Sequence, residues 1–207
     1  MALSLQDLEA VNRAWGNADV LARGLEEELA ASPAPRSIIL DVGAGSGGVS
    51  RDLAARLRGA GASVCVIAVD LQWRHLASGR GRAGPIPAVA ADGFALPFAD
   101  GSAAWVVSTL LFHHFSAREN VRLLRELGRV ARRGFRLLDI SRHVFPLLFI
   151  RLAGRFAFRT RVSLEDGIAS VRQAYTLEEA AAIAQEAVPG TRVRRVFPFR
   201  FLIDWSR

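Results

Sequence analysis

Short apolar runs of strand length recur through the middle of the chain, and helical patterns separate most of them. The runs are Ser37 to Val42, Ser63 to Val69, Ile86 to Ala90, Ala103 to Ser108 and Phe135 to Ile140. Val49, Leu53 and Leu57 recur at i, i+4 and i+8 within a predicted helix from Val49 to Arg58, and Trp73 to Ser78 reads as a short helix. Ser116, with Glu119 three residues on, forms a capping box for a helix through Ala131, which Gly134 ends. Continuous apolar runs are what a parallel sheet covered on both faces needs. The alternation predicts a parallel α/β sheet wound on both faces. Right-handed crossovers bring the strand C-termini to one edge, where such sheets bind ligands. Gly43, Asp70, Asp92 and Ser108 all fall at that edge.

The flanks read differently. Ser4 to Ala31 has helical spacing (Leu5, Leu8, Val11, Trp15; then Leu21, Leu25, Leu29), with Gly16-Asn17 dividing it in two. Ser32-Pro33-Ala34-Pro35 is a stop and a linker. Downstream, Thr176 with Glu179 opens a helix that Pro189-Gly190 ends, and Arg192 to Phe197 and Arg200 to Trp205 read as two strands closing an edge of the sheet. The 207 residues, 51% hydrophobic and 23% charged, fit one globular domain with a single core. One cysteine, Cys65 in an apolar run, builds neither a disulfide framework nor a cysteine-rich metal site, and His113 and His114 are adjacent rather than at ligand spacing, so no metal is expected. Met1 to Ala10 has no basic leader pattern, and Val144 to Ile150 is far short of the ~20 residues that span a bilayer, so the expectation is a soluble, cytoplasmic protein. The net charge of +7 is carried by arginine alone. It reads either as codon composition or as a trace of an anionic partner; the scatter of the arginines, without a run of five like charges, argues against nucleic acid.

The segment Asp41-Val42-Gly43-Ala44-Gly45-Ser46-Gly47-Gly48 joins the first strand to its helix. Glycines let a backbone approach a ligand closely, and a helix N-terminus offers unpaired N–H groups to an anion. Gly43, Gly45 and Gly48 also satisfy the dinucleotide spacing G-x-G-x-x-G, although Asp41 adds negative charge where a pyrophosphate would sit.

Asp41 to Gly47 resembles motif I of the class I S-adenosylmethionine (SAM) dependent methyltransferases, and four further segments match that family in order. Asp70, with Leu71 beside it, resembles the acidic position that bonds the ribose hydroxyls. Ala91-Asp92-Gly93 before Leu96-Pro97-Phe98 resembles the adenine segment. Trp105 to Ser108 followed by Leu110 to Phe115 resembles the fourth motif, and Leu127 to Gly134 the turn before the fifth strand. The match runs from Ser37 to Ile140 and is closest to the small-molecule, ubiquinone/menaquinone-type branch. It implies a Rossmann-like, doubly wound, seven-stranded sheet, mostly parallel, with an antiparallel C-terminal edge hairpin and N-terminal helices. It implies SAM as cofactor, held by Asp41, Gly43, Ala44, Gly45, Ser46, Gly47, Asp70, Leu71, Asp92, Gly93 and Ser108, with Arg13 of the N-terminal helices meeting its carboxylate. The single domain then divides into a helical lid (1–35), a SAM-binding core (36–140), an acceptor-pocket insert (141–175) and a C-terminal helix and strands (176–207).

The resemblance also implies a base. His113 follows the fourth strand and Asp139 ends the fifth; an imidazole suits proton removal at neutral pH and a carboxylate can orient it. His113 as base and Asp139 as its orienter predict O-methylation of a small hydrophobic or aromatic acceptor, with C-methylation as the close variant. The Phe- and Leu-rich stretch Arg142 to Arg159 suits an apolar acceptor, with Arg172 and Tyr175 as further lining. Arginine spacing over 142–161 also fits a membrane-surface contact, and the C-terminal edge fits a homodimer. Two rivals remain. An NAD(P)-dependent reductase shares the layer architecture but is opposed by Asp41, Asp92-Gly93 and the lack of lysine. A non-catalytic partner protein would carry a degenerate glycine loop, and this loop is intact.

Overall fold

A computed structural model describes residues 9–31, 36–79, 86–143 and 161–207. Seven strands form one sheet in the order β3-β2-β1-β4-β5-β7-β6. The strands are β1 (Ser37–Val42), β2 (Val64–Asp70), β3 (Ala88–Ala90), β4 (Ala103–Thr109), β5 (Ala131–Ile140), β6 (Arg192–Val196) and β7 (Arg200–Ser206). β1 pairs in parallel with β2 and β4, β2 with β3, and β4 with β5; β7 runs antiparallel to β5, and β6 antiparallel to β7. This is the mostly parallel sheet with a C-terminal edge hairpin that the pattern predicts.

Helices cover both faces. Residues 9–14 are helical (α1), followed by α2 (Asn17–Ala22), α3 (Leu25–Ala30), α4 (Gly48–Gly59), α5 (Trp73–Ser78), α6 (Ala117–Val130), α7 (Arg161–Gln173) and α8 (Leu177–Ala187). One core packs α6 and α8 against the sheet through Leu123, Leu127, Ile183, Phe135 and Phe201; the other packs α2 and α4 through Leu21, Leu53, Leu57, Ile39 and Val107. Capping boxes open α6 (Ser116, Glu119) and α8 (Thr176, Glu179), each contributing about 1 kcal/mol. Among the described residues no helix is long and apolar enough to cross a membrane.

Three boundaries differ from the sequence expectation. The N-terminal region breaks at Gly16 as predicted and again at left-handed Gly24, where Arg136 donates to the carbonyls of Leu21 (3.0 Å) and Arg23 (2.6 Å) and so caps α2. The third strand is shorter than predicted, Ala88–Ala90. The fifth begins at Ala131, three residues before Gly134, and an extra residue bulges where Ala103 and Trp105 face Ala131 and Gly134. Gly134 is therefore a strand residue, not a helix stop. A Cβ there would lie 2.1 Å from the Trp205 carbonyl oxygen and 2.6 Å from the Trp105 ring, so close approach of neighbouring chains selects glycine. Helix α7 falls inside the predicted acceptor insert. The Phe-rich residues 144–160, where acceptor and membrane contacts are expected, lie outside the described residues.

The chain leaves β1 to build β2 and β3 on one side, then crosses to build β4 and β5 on the other. That reversal opens a crevice between the C-terminal ends of β1 and β4, where a ligand fits.

Candidate active site

The loop after β1 is built for close approach. Gly43 (φ 76) and Gly45 (φ 56) adopt left-handed backbone that other residues rarely take. The N–H groups of Gly43 and Ala44 both donate to the Val69 carbonyl, at 2.8 and 3.0 Å, which pins the loop to the end of β2. Asp70 completes the corner: Oδ2 accepts from the Gly45 N–H and Oδ1 from the Gln72 N–H, both at 2.8 Å, with His75 Nδ1 3.4 Å from Oδ1.

A cavity of about 250 Å³ lies over this loop. Its walls include Asp41, Gly43, Ala44, Gly45, Ser46 and Asp70, with Glu9 and Asn12 from α1, Thr109 at the end of β4, and Leu110, Leu111 and His114 beyond it. A Cβ at Gly45 would meet nothing within 4 Å. The Thr109 hydroxyl is buried with no hydrogen-bond partner. Leu110 takes a left-handed φ of 55, a strained conformation for leucine of the kind stored at ligand sites, and it turns the chain from β4 into the short 3₁₀ turn Phe112–His114.

That turn carries His113. Its Nδ1 lies 2.8 Å from Asp139 Oδ1, and its backbone N–H donates to Asp139 Oδ2 at 3.1 Å. Asp139 Oδ1 also accepts from the Ile140 N–H at 2.6 Å. A wholly buried carboxylate with these donors orients the ring with its proton on Nδ1. Nε2 is then the acceptor atom, and it is buried without a partner. The His114 ring lies tilted by 40° beside that of His113, centroids 4.0 Å apart, and is part of the cavity wall.

Residues 39–134 match the family described as methyltransferase domain. That match covers a little under half of the chain, and SAM-dependent methyltransferases share the fold of nearly all of it. A SAM-dependent methyltransferase from Aquifex aeolicus shares the fold at 19% identity and a TM-score of 0.58, over 87% of this chain and 88% of that one. Magnesium protoporphyrin IX methyltransferase from Synechocystis, solved with bound S-adenosylhomocysteine, shares it at 15% identity and a TM-score of 0.59, over 93% and 83%. Human N-acetylserotonin methyltransferase in complex with SAM gives 12% identity and a TM-score of 0.64, over 99% of this chain and 55% of that one. No curated protein matches in sequence.

The cavity brings six of the expected residues together, while His113, Asp139, Asp92 and Gly93 lie outside its lining. Asp41, Gly43, Ala44, Gly45, Ser46 and Asp70 share one cavity, whereas Leu71, next to Asp70 in sequence, is exposed and outside its lining. Gly47 is the N-cap of α4. Three expectations are corrected. The Arg13 guanidinium is exposed and faces Asp52 on α4 at 3.5 Å; Glu9 and Asn12 are the residues that α1 turns to the cavity. Ser108 is buried in β4 and donates to the Val42 carbonyl at 2.7 Å; the next residue, Thr109, reaches the cavity. Tyr175 donates to the Phe115 carbonyl at 2.7 Å and packs edge-on against Phe112, while Arg172 is exposed, so neither is placed in the cavity wall. Asp92 accepts from the Phe94 N–H at 2.9 Å in an Asx turn, with its carboxylate exposed, and a Cβ at Gly93 would press on Val42 at 3.2 Å.

Asp41 is part of the cavity wall, wholly buried, and accepts from the Ser50 hydroxyl. Burial pushes its pKa up to about 7; the Ser50 bond opposes the shift and the Asp70 charge adds to it. An acid whose folded pKa is raised keeps its proton longer in the folded state, so stability is lost as pH rises from its ordinary 3.8 toward 7. The ligand-free melting temperature is expected to fall across that window, and Asp41→Asn to remove much of the fall. Melts of both proteins over that pH range check it; parallel curves would disprove the assignment.

Proposed function

We propose that this methyltransferase moves the SAM methyl group to an oxygen of a small hydrophobic or aromatic acceptor, with His113 as general base. One observation carries the reading: a buried imidazole is held by a buried carboxylate and keeps its second nitrogen without a hydrogen bond. Buried polar atoms are mostly hydrogen-bonded, so an unpartnered imidazole nitrogen fits a base that takes up a proton.

The residues present fit the cofactor. The left-handed glycine loop leaves open space over Gly45, Asp70 offers a carboxylate for the ribose diol, and the buried Thr109 hydroxyl awaits a partner. Asp70 would hold the ribose, the loop from Gly43 to Ser46 the amino-acid end, and Leu71 and Asp92 the adenine side. SAM supplies an electrophilic methyl on a positively charged sulfur. The chain's residues hold the acceptor hydroxyl in line with that methyl. As the oxygen–carbon bond forms, the carbon–sulfur bond breaks and its electron pair returns to sulfur, while the hydroxyl proton passes to His113 Nε2. Alignment alone supplies up to about 7–11 kcal/mol, and the base adds to it. Asp139 steadies the imidazolium that results.

Incubation with methyl-labelled SAM and a panel of hydrophobic phenols tests this. The expected product carries an O-methyl group by NMR. A ring C-methyl product would reassign the reaction to C-methylation; absence of transfer to any phenol or hydroxyl would overturn the proposal.

A further inference from the structure

The cavity that receives the donor's amino-acid end has an unexpected charge. Its described walls bring three carboxylates, Glu9, Asp41 and Asp70, and no arginine. Glu9 comes from α1, outside the matched methyltransferase segment. Its Oε1 accepts from the Ser46 hydroxyl and, at 3.2 Å, from Arg51 Nη2, while Arg51 Nη1 donates to the Ser46 carbonyl at 2.9 Å. Glu9 and Arg51 side chains are only 11% and 13% exposed, so the link lies inside the molecule. A Cβ at Gly48 would lie 2.8 Å from the Glu9 side chain, so Glu9 rests on the first turn of α4.

We propose that Glu9 accepts a hydrogen bond from the α-ammonium of the methyl donor, and that its bonds to Ser46 and Arg51 close α1 over the glycine loop. The assignment rests on the reading of this cavity as the SAM site. The other two acids are assigned elsewhere: Asp70 to the ribose, and Asp41, wholly buried, to the Ser50 hydroxyl. The donor brings an ammonium, a sulfonium and one carboxylate, a net cation that suits an acid-lined wall. Arg51 holds Glu9 in place but is turned to Glu9 and Ser46 rather than being part of the cavity wall. The basic residue expected on this helix for the donor's carboxylate is thus replaced by an acid for its amine.

Calorimetric titration of the full chain and Glu9→Gln with S-adenosylhomocysteine and with methylthioadenosine, which lacks the amino-acid end, tests the assignment. Glu9→Gln keeps the size and removes the charge. S-adenosylhomocysteine is expected to weaken about tenfold or more and methylthioadenosine to stay within about twofold, as loss of one charged hydrogen bond requires. Equal weakening of both ligands would overturn the proposal, because Glu9 would then act only by shaping the loop. Unchanged or tighter S-adenosylhomocysteine binding would overturn it too, the latter by showing that Glu9 competes with the donor's carboxylate. Failure of the unmodified chain to bind either ligand would instead sink the cofactor reading on which the proposal stands.

Discussion

Replacing His113 with glutamine is expected to lower turnover about 10²–10⁴-fold while S-adenosylhomocysteine binds as before, because a positioned base contributes on that scale. The structure makes the loss specific. His113 is fixed by its neighbours rather than by ligand, and its Nδ1 and backbone N–H are both held by Asp139. Glutamine preserves much of the volume and cannot take the proton. Alignment by the rest of the site survives, so residual activity is expected rather than none. Asp139→Asn should also lose activity, because an amide in place of the carboxylate must turn a donor toward one of the N–H groups it now accepts from. The two losses should not multiply: without His113 there is nothing left for Asp139 to orient, so the double variant should turn over about as slowly as His113→Gln alone. Single-turnover rates and ligand titrations on the three variants check this. A loss under about threefold in His113→Gln would show that alignment suffices and that the imidazole is packing.

The second large effect is on cofactor affinity. S-adenosylhomocysteine at 100 times its dissociation constant should stabilise the chain by about 2.7 kcal/mol, a rise of roughly 5–10 °C at this size. In Asp70→Ala the same concentration should give a rise of about 1 °C. The carboxylate offers two charge-assisted bonds to a ribose diol, and charged hydrogen bonds contribute about 1.5–3 kcal/mol each, so the affinity loss reaches about a hundredfold. At a hundredfold weaker affinity the ligand only equals its dissociation constant and the stabilisation drops to ~0.4 kcal/mol. Asp70 also holds the Gly45 and Gln72 N–H groups, so the ligand-free protein is expected to melt slightly lower as well. The discriminating quantity is the ligand-induced rise, and a rise kept intact in Asp70→Ala would remove this residue from the ribose. A rise with NADPH and none with S-adenosylhomocysteine would disprove the cofactor assignment.

The rim was legible in the sequence because parallel strands are apolar throughout and end in polar or glycine residues, so their ends mark one edge. That logic placed Gly43 and Asp70; the His113–Asp139 pair came from the family resemblance and the edge hairpin from two C-terminal strand patterns. It failed where two polar residues stand next to each other and only the first was singled out. Ser108 and Thr109 are both polar at the end of β4, and only the pleat decides that the first bonds the Val42 carbonyl while the second reaches the cavity. It failed again on α1. Glu9, Asn12 and Arg13 are close in sequence, and helical spacing alone does not say which face meets the loop; the expectation of a basic partner favoured Arg13, and packing on α4 turned Glu9 inward. Gly134 misled for a different reason: glycine ends helices and also admits close chains, and the Trp205 carbonyl and Trp105 ring that demand the second use are distant in sequence.

The place where the sheet reverses direction has a consequence for the history of such an enzyme. Apart from Glu9 on α1 and Thr109 at the end of β4, residues assigned to the donor follow β1, β2 and β3, whereas the imidazole follows β4 and its carboxylate ends β5. The two sets therefore hang from opposite wings of one sheet and touch only along its midline. A mutation in the second wing can change which molecule is methylated while leaving the machinery for holding the methyl donor in place. Inheritance can keep one wing fixed and explore with the other, so substrate preference in such a chain is free to drift faster than its cofactor.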